Sequence, residues 1–325
     1  MKDLNVPVLF LVFNRPDKTL RVFNVIREAR PRKLYVAIDA PREGREDDII
    51  KCNQVKEIVQ NVDWPCESHY LVQEKNLGCT LSGKTAWDWL FSNEDKMIFI
   101  EDDGLATSSF FYYCQDLLLR YENDDRIAFI GGVNYLVKHG EASYFFSHLS
   151  VPTYGMATWK RTYNLYEYEL DSWPQVRNSK EFRSHFVNRF ERDWFISSYN
   201  QYYDSVKKGV KENTYDKQMS YLVWKYNKFC IHPNLNLVSN IGFDEEASNT
   251  KVDKNSSIAV FFSRPAEIIN DIIHPGHVDT TKDLERKMFK AKVLLRENYL
   301  KAWLFFYCYL NYKRFIKPFF QRRAR

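Results

Sequence analysis

The stretch Met97-Ile98-Phe99-Ile100-Glu101-Asp102-Asp103 runs four apolar residues straight into three consecutive acids. Apolar residues without alternation suit a strand covered on both faces, as in a parallel sheet between helical layers. Adjacent carboxylates at the end of such a strand repel one another and raise the cost of their own desolvation. A bound cation removes that cost, and an all-oxygen donor set suits Mg2+ or Mn2+ shared with substrate phosphates. The alternative is a solvated turn whose acids precede a helix near Ser108 and Ser109.

Toward the N-terminus the same pattern repeats. Residues 6–13 (VPVLFLVF) and 34–38 (LYVAI) are further apolar runs, with a weaker strand at 69–72 (HYLV). Between them, helical spacing of apolar residues covers 17–28, 48–59 and about 81–91. After the acids come a helix near 109–120 and a fifth strand, IAFI, at 127–130. Alternation at this spacing predicts an α/β fold with a mainly parallel, right-handed central sheet. Beyond Gly132 the pattern loosens into Tyr- and Trp-rich segments up to about residue 210. A helix over 216–228 and a short strand near Cys230 follow.

In open α/β sheets, ligands bind beyond the carboxyl ends of the strands. The first strand ends in Asn14-Arg15-Pro16, the second in Asp39 and the fourth in Glu101-Asp102-Asp103. A guanidinium, a carboxylate and an acidic cluster are therefore expected at one rim. Residues 78–85 also match the phosphate-loop pattern through Gly78, Gly83, Lys84 and Thr85. A true phosphate loop leaves a strand end directly, so that its amides wrap the phosphates at the start of the next helix. Here Gln73-Glu74-Lys75-Asn76 intervene, and two strand–helix units come first. The match is expected to be accidental, with a P-loop NTPase or kinase kept as the alternative function.

Of the 325 residues, 45% are hydrophobic and 16% aromatic, enough for a large packed core and too apolar for a disordered chain. The first apolar run has strand length and no small-residue cleavage site, and no run approaches the ~20 residues that span a bilayer. The cysteines Cys52, Cys66, Cys79, Cys114, Cys230 and Cys308 form no C-x-x-C pair, which points to reduced thiols in a cytoplasmic protein. His274 and His277 in HPGH read as a turn around Pro275 and Gly276 rather than a metal site.

Charge is unevenly placed. The net charge is +5, yet residues 281–325 carry +10 and the remainder −5. A net-acidic body argues against a nucleic-acid partner. The tail, residues 299–325, combines seven Lys/Arg, no acid and many Phe, Tyr, Trp and Leu. That composition suits the headgroup layer of an anionic membrane, with a terminal helix packed on the body as the alternative.

Taken together, these residues resemble the glycosyltransferases of the GT-A fold, among them N-acetylglucosaminyltransferase I and related bacterial sugar transferases. In that family a buried strand ends in a D-x-D or E-D-D motif that holds Mn2+ on the diphosphate of a sugar nucleotide. Glu101-Asp102-Asp103 looks like that motif, with Asp103 as the metal ligand. The resemblance implies that Arg15 and Asp39 grip the nucleotide and that Asn76-Leu77-Gly78 serves as an N-x-G element near the donor. Gly131-Gly132-Val133-Asn134 falls at a strand-end turn near the donor. Residues 154–159, ending in Trp159, are similar to the segment lining the donor sugar. Tyr215-Asp216 resembles the site of the catalytic aspartate; the family usually has W-D and a second acid, where this chain has Lys217. Residues 230–243 look like the strand leading into a closing loop, and the likeness covers roughly residues 6–250.

The implied reaction is inverting transfer of a sugar from a nucleoside diphosphate, a UDP-sugar, to a hydroxyl of a glycan or lipid-linked acceptor. Bacterial surface polysaccharide synthesis is the setting it implies. Mn2+ (or Mg2+), held by Asp103 with Glu101 and Asp102, would offset charge on the departing diphosphate. Asp216 would take the acceptor proton, unless it only caps its helix, and Asp244-Glu245-Glu246 holds the alternative base. The expected organisation is a catalytic domain over 1–260 and a helical, basic, aromatic membrane-associating segment over 261–325. The protein is expected to be cytoplasmic, peripheral on the inner face of the membrane.

Overall fold

Strand β1 (Val8–Val12) is buried at all five positions, and helix α1 (Pro16–Ala29), opened by a proline, buries Val22, Phe23 and Ile26. Then come β2 (Lys33–Ile38), α2 (Glu46–Gln60), β3 (Glu67–Val72), α3 (Gly78–Asn93) and β4 (Lys96–Glu101). They are followed by β5 (Gly104–Ala106), α4 (Ser108–Arg120), β6 (Ile127–Gly131), β7 (Tyr144–Ser147) and β8 (Gly155–Trp159). Three short helices, α5 (Lys160–Tyr163), α6 (Trp173–Val176) and α7 (Lys180–Ser184), lead to the long α8 (Arg189–Lys207). After it lie α9 (Asp216–Lys225), β9 (Phe229–Pro233), β10 (Val238–Asn240), α10 (Ser257–Phe262), α11 (Lys282–Lys292) and α12 (Tyr299–Asn311). The computed structural model describes residues 3–136, 139–210, 214–243, 256–292 and 299–311.

Eight strands form one sheet in the order β3-β2-β1-β4-β8-β6-β9-β7. Strands β3, β2, β1 and β4 are parallel neighbours. Strand β8 enters antiparallel between β4 and β6, β9 runs parallel to β6, and β7 closes the edge antiparallel. The result is the mainly parallel α/β sheet that the alternation of strands and helices predicts. Alternate residues serve opposite layers. Phe10, Val36 and Ile100 join helices α1, α2 and α4, whereas Leu9, Tyr35 and Phe99 join Trp87 and Leu90 of α3 and Met219 of α9. Because both layers are apolar, these strands read as unbroken runs.

The second half departs from the sequence reading. Gly155–Trp159, expected to line the donor sugar, is a central strand. Trp159 is 3% exposed, donates its indole N–H to the Leu118 carbonyl at 3.2 Å, and lies 4.0 Å from the Arg161 guanidinium. Residues 189–207, expected to be irregular, form the longest described helix, capped by the Asn188 side chain on the Glu191 amide. Its Phe190, Trp194, Phe195, Tyr199 and Tyr202 pack into or against the main core. Of the expected helical segment over 261–325, helices α11 and α12 are present, and residues 312–325 lie outside the described residues. Buried Glu285 of α11 accepts the Ser147 hydroxyl and the His148 amide, both at 2.9 Å, and so pins α11 to the end of β7. Among the described residues no helix is long and apolar enough to cross a membrane, and all six cysteines are free.

Candidate functional site

Register decides where the polar strand ends meet. Val12 pairs with Ile38 and Leu11 with Glu101, so the residues after β1, β2 and β4 emerge side by side. The Asp39 amide donates to the Val12 carbonyl and the Asp102 amide to the Leu11 carbonyl, each at 3.1 Å, extending the alignment past the strands. They line a cavity of about 320 Å³ with Phe13, Arg15, Arg42, Asn76, Gly78, Ser82, Glu101 and Asp103, bounded also by Asn240, Gly242 and Phe243.

Each acid of the cluster has a different environment. Glu101 accepts a hydrogen bond from the Tyr215 hydroxyl at the start of α9. Burial and the charge of Asp103 nevertheless push its carboxyl up to about 8. Asp102 accepts the Phe13 amide at 3.4 Å; burial raises it to about 6, although Arg15 lies 3.5 Å away and opposes the rise. Arg15 Nη1 donates to Asp103 Oδ2 at 2.9 Å. Asp103 Oδ1 is buried and has no hydrogen-bond partner among the described residues.

A buried carboxylate oxygen without a donor, in a cluster whose other members resist ionising, fits a divalent cation. Among the described residues no three His, Cys, Asp or Glu side chains are gathered as metal ligands. The protein's share of such a shell is therefore small, as with Mg2+-type ions that keep waters and bind through one or two carboxylates plus substrate phosphates. The chain opposite comes very close. The Ile241 amide donates to the Asp103 carbonyl at 2.8 Å, and a Cβ on Gly242 would lie 2.3 Å from Asp103 Oδ2.

Asp39 does its work through backbone. Its carboxylate accepts the amides of Ala40 (3.0 Å), Leu77 (3.0 Å) and Gly78 (3.1 Å) and the Asn76 side-chain amide (3.2 Å). Burial raises its pKa, and these donors only partly offset the rise. The Leu77 and Gly78 amides open α3, so the anion-attracting end of that helix is already taken by a carboxylate. Gly83 and Lys84 lie inside α3, not in a loop before it. A Cβ on Gly83 would sit 3.0 Å from the Tyr215 ring, and Lys84 pairs with Asp88 at 2.6 Å, one turn along the helix. The P-loop reading fails: its glycines serve a helix start and an aromatic contact.

A second cavity of about 360 Å³ adjoins the first, and Asn240 and Phe243 line both. Its walls include Tyr135, Tyr154, Phe195, Tyr199 and Phe262, with Ser150, Ser198, Ser220, Asp216 and Lys217 as polar groups. Tyr215, not Asp216, is the N-cap residue of α9; Asp216 is the first helical residue, and its amide donates to the Thr214 hydroxyl at 3.3 Å. Arg15, Asp39, Asn76, Gly78, Glu101, Asp102 and Asp103 thus share one cavity, Asp216 lines its neighbour, and Trp159 reaches neither. Asp244-Glu245-Glu246 lies outside the described residues.

Sequence reasoning missed Arg42, and it placed Tyr215, Asn240 and Phe243 in candidate segments without giving any of them a role of its own. Arg42 is held by Asp48 through Nε (2.6 Å) and Nη2 (2.8 Å), while Asp48 also accepts from Asn14 at 2.6 Å. Loop residues recruited this way leave no periodic trace. A buried acid in the first turn of α2 was the one available signal.

No family model and no curated protein matches the chain. Solved structures that resemble it include residues 1–349 of TarS from S. aureus, with 13% identity over 48% of this chain and a TM-score of 0.32. A UDP-glucose pyrophosphorylase complexed with UDP-glucose shares 10% identity over 70% of this chain and 90% of its own, at a TM-score of 0.35. HddC from Yersinia pseudotuberculosis shares 12% over 48% of this chain and 77% of its own, at 0.30. The chain spans 47% of the TarS structure. Likenesses this distant concern architecture and carry nothing about activity.

Proposed function

We propose that the protein is a metal-dependent inverting glycosyltransferase of the kind N-acetylglucosaminyltransferase I represents. It moves a sugar from a nucleoside-diphosphate sugar, a UDP-sugar, to a hydroxyl of a glycan or lipid-linked acceptor in bacterial surface polysaccharide synthesis. Its place is peripheral, on the inner face of the membrane. The observation that carries this reading is the pair of adjoining cavities, one walled by Arg15 and the strand-end acids, the other by aromatic rings and Asp216. A group transferase has to hold two substrates with their reacting atoms in contact, which two cavities with a shared wall provide.

In the first cavity the donor diphosphate lies toward Asp103 and Arg15, and the turn that Asp39 fixes at Asn76–Gly78 shapes the wall for the nucleotide. Mn2+ (or Mg2+), when held at Asp103, supplies positive charge where the leaving diphosphate gains negative charge. Arg15 adds a protein cation at the same place, preset by its contacts with Asp102 and Asp103. In the second cavity Asp216 accepts the proton of the acceptor hydroxyl. Inversion needs that base on the face of the sugar away from the leaving group, and the separate cavities give the two groups separate sides.

The test is incubation with a panel of nucleotide sugars, with and without Mn2+ and with a polyprenyl-linked glycan acceptor. Release of nucleoside diphosphate that needs both metal and acceptor, with an inverted anomeric centre by NMR, is the expected result. Formation of nucleoside triphosphate on adding pyrophosphate, without sugar transfer, would make the protein a nucleotidyltransferase and overturn the reading.

A further inference from the structure

Helix α12 carries apolar side chains on two sides, and among the described residues the body packs on one. Inward, Phe306 packs on Phe190 and Trp194 at ring-centroid distances of 5.6 and 5.3 Å, and the Tyr307 hydroxyl donates to Asp193 at 2.9 Å. Outward, Leu304 and Phe305 are 49% and 67% exposed, with Leu300 (64%) and Tyr309 (50%) at the two rims of that side. A surface helix ordinarily turns polar residues to water; this face offers Lys301 and no acid. Beside it, a hollow is lined by Arg189, Arg286, Trp303 and Tyr307. The Arg189 side chain is 79% exposed and pairs with Asp193 at 3.3 Å, Arg286 lies 3.9 Å from buried Glu191, and with Arg192 the three arginines outnumber the two acids. Residues 312–325, which continue the chain, add six Lys/Arg and no acid to the sequence.

We propose that the outer face of α12, with the Arg189–Arg286 hollow at its side, docks on an anionic lipid surface. Leu304 and Phe305 enter the acyl boundary, and the arginines meet headgroup phosphates. A helix that carries Lys301 among aromatic and aliphatic side chains suits the headgroup layer, where it lies in the plane of the surface. Charge decides against a second copy as the occupant. A two-fold contact through this face would set one basic cluster against another, whereas an anionic bilayer complements both. The inference rests on the peripheral placement proposed above and not on the transfer chemistry, because vesicle binding is read without turnover.

The experiment uses full-length protein and flotation with vesicles of phosphatidylcholine alone or mixed with phosphatidylglycerol. Binding is expected only with the anionic vesicles and is expected to weaken at high salt. Replacing Leu304→Ser together with Phe305→Ser should weaken it by about tenfold or more with Tm unchanged, because both side chains face water in the free protein. Arg189→Gln, on a different element, should weaken binding and flatten its salt dependence, which keeps the test decisive if the double variant folds poorly. Equal binding by wild type and both variants overturns α12 as the surface while leaving peripheral placement intact. No binding to either vesicle overturns both. A dimer seen by ultracentrifugation that the double variant abolishes, without vesicle binding, makes the face a self-association surface and also overturns the inference. Sugar transfer to a soluble acceptor, measured alongside, reports separately on the proposed chemistry.

Discussion

Asp103 has one oxygen held by Arg15 and the other buried without a donor among the described residues. Asp103→Asn preserves shape but removes charge. It is expected to weaken Mn2+-dependent donor binding by more than the roughly 10- to 100-fold that losing an outer-shell partner costs. Calorimetry with and without metal checks this, and equal affinities would remove Asp103 from the metal site. Asp216→Asn should lower kcat by about 100-fold or more with donor Kd unchanged, the signature of a lost general base. A near-normal kcat would move the proton acceptor elsewhere. Lys84 is the contrasting case: its partner Asp88 is half exposed, and such a pair on a helix surface contributes about 0.3–0.5 kcal/mol. Lys84→Ala should therefore leave transfer and Tm close to wild type, and a large loss of activity would return weight to the phosphate-loop pattern.

Elements buried on both faces were legible in the sequence. Strands β1, β2 and β4 carry apolar residues at every core position because helices cover both sides, and the acids that end β4 marked the rim. Elements set by distant partners were not. Helix α3 begins at Gly78 because Asp39, from another strand end, caps its amides. Strand β8 contains Gly155 and Ala157, weak strand formers, and Gly155 is required because Val238 methyls lie 2.8 Å from where its Cβ would be. Asp48 shows the same long reach, tying the turn after β1 to the loop after β2 through Asn14 and Arg42. The Arg42 hydrogen bond, against the cost of burial, lowers its pKa to about 2. A depressed carboxyl contributes stability that is complete above its unfolded pKa of roughly 3.9 and lost as pH falls through the folded value. Asp48→Asn should thus cost about 1.5–3 kcal/mol near neutral pH, as charge-assisted bonds are lost. Urea unfolding should show the gap between variant and wild type narrowing from about pH 4 toward pH 2. A gap that stays constant across that range would mean that the carboxylate charge is not what holds the loops.

At the scale of the molecule, one cavity draws its walls from Phe13 after β1, Asp39 after β2, Asn76 before α3, the acids of β4 and Phe243 beyond β10. No stretch of unfolded chain holds that arrangement, so whatever fills the cavity binds the folded state alone and stabilises all of it by mass action. At a ligand concentration of 100 Kd the gain is about 2.7 kcal/mol, a rise of several degrees in Tm for a chain of this size. The donor's nucleotide sugar with Mn2+ is expected to give that rise in a thermal-shift panel. Metal-free donor should give less, because Glu101 and Asp102 then keep their raised pKa values and the free oxygen of Asp103 stays unmatched. ATP with Mg2+ should give little, since Asp39 already occupies the α3 amides that a phosphate loop would present. The shift should vanish in Asp103→Asn but persist in Asp216→Asn, whose side chain belongs to the neighbouring cavity. Equal shifts from ATP and from nucleotide sugars would show that the cavity recognises phosphates without the sugar, and the donor assignment would fall with it.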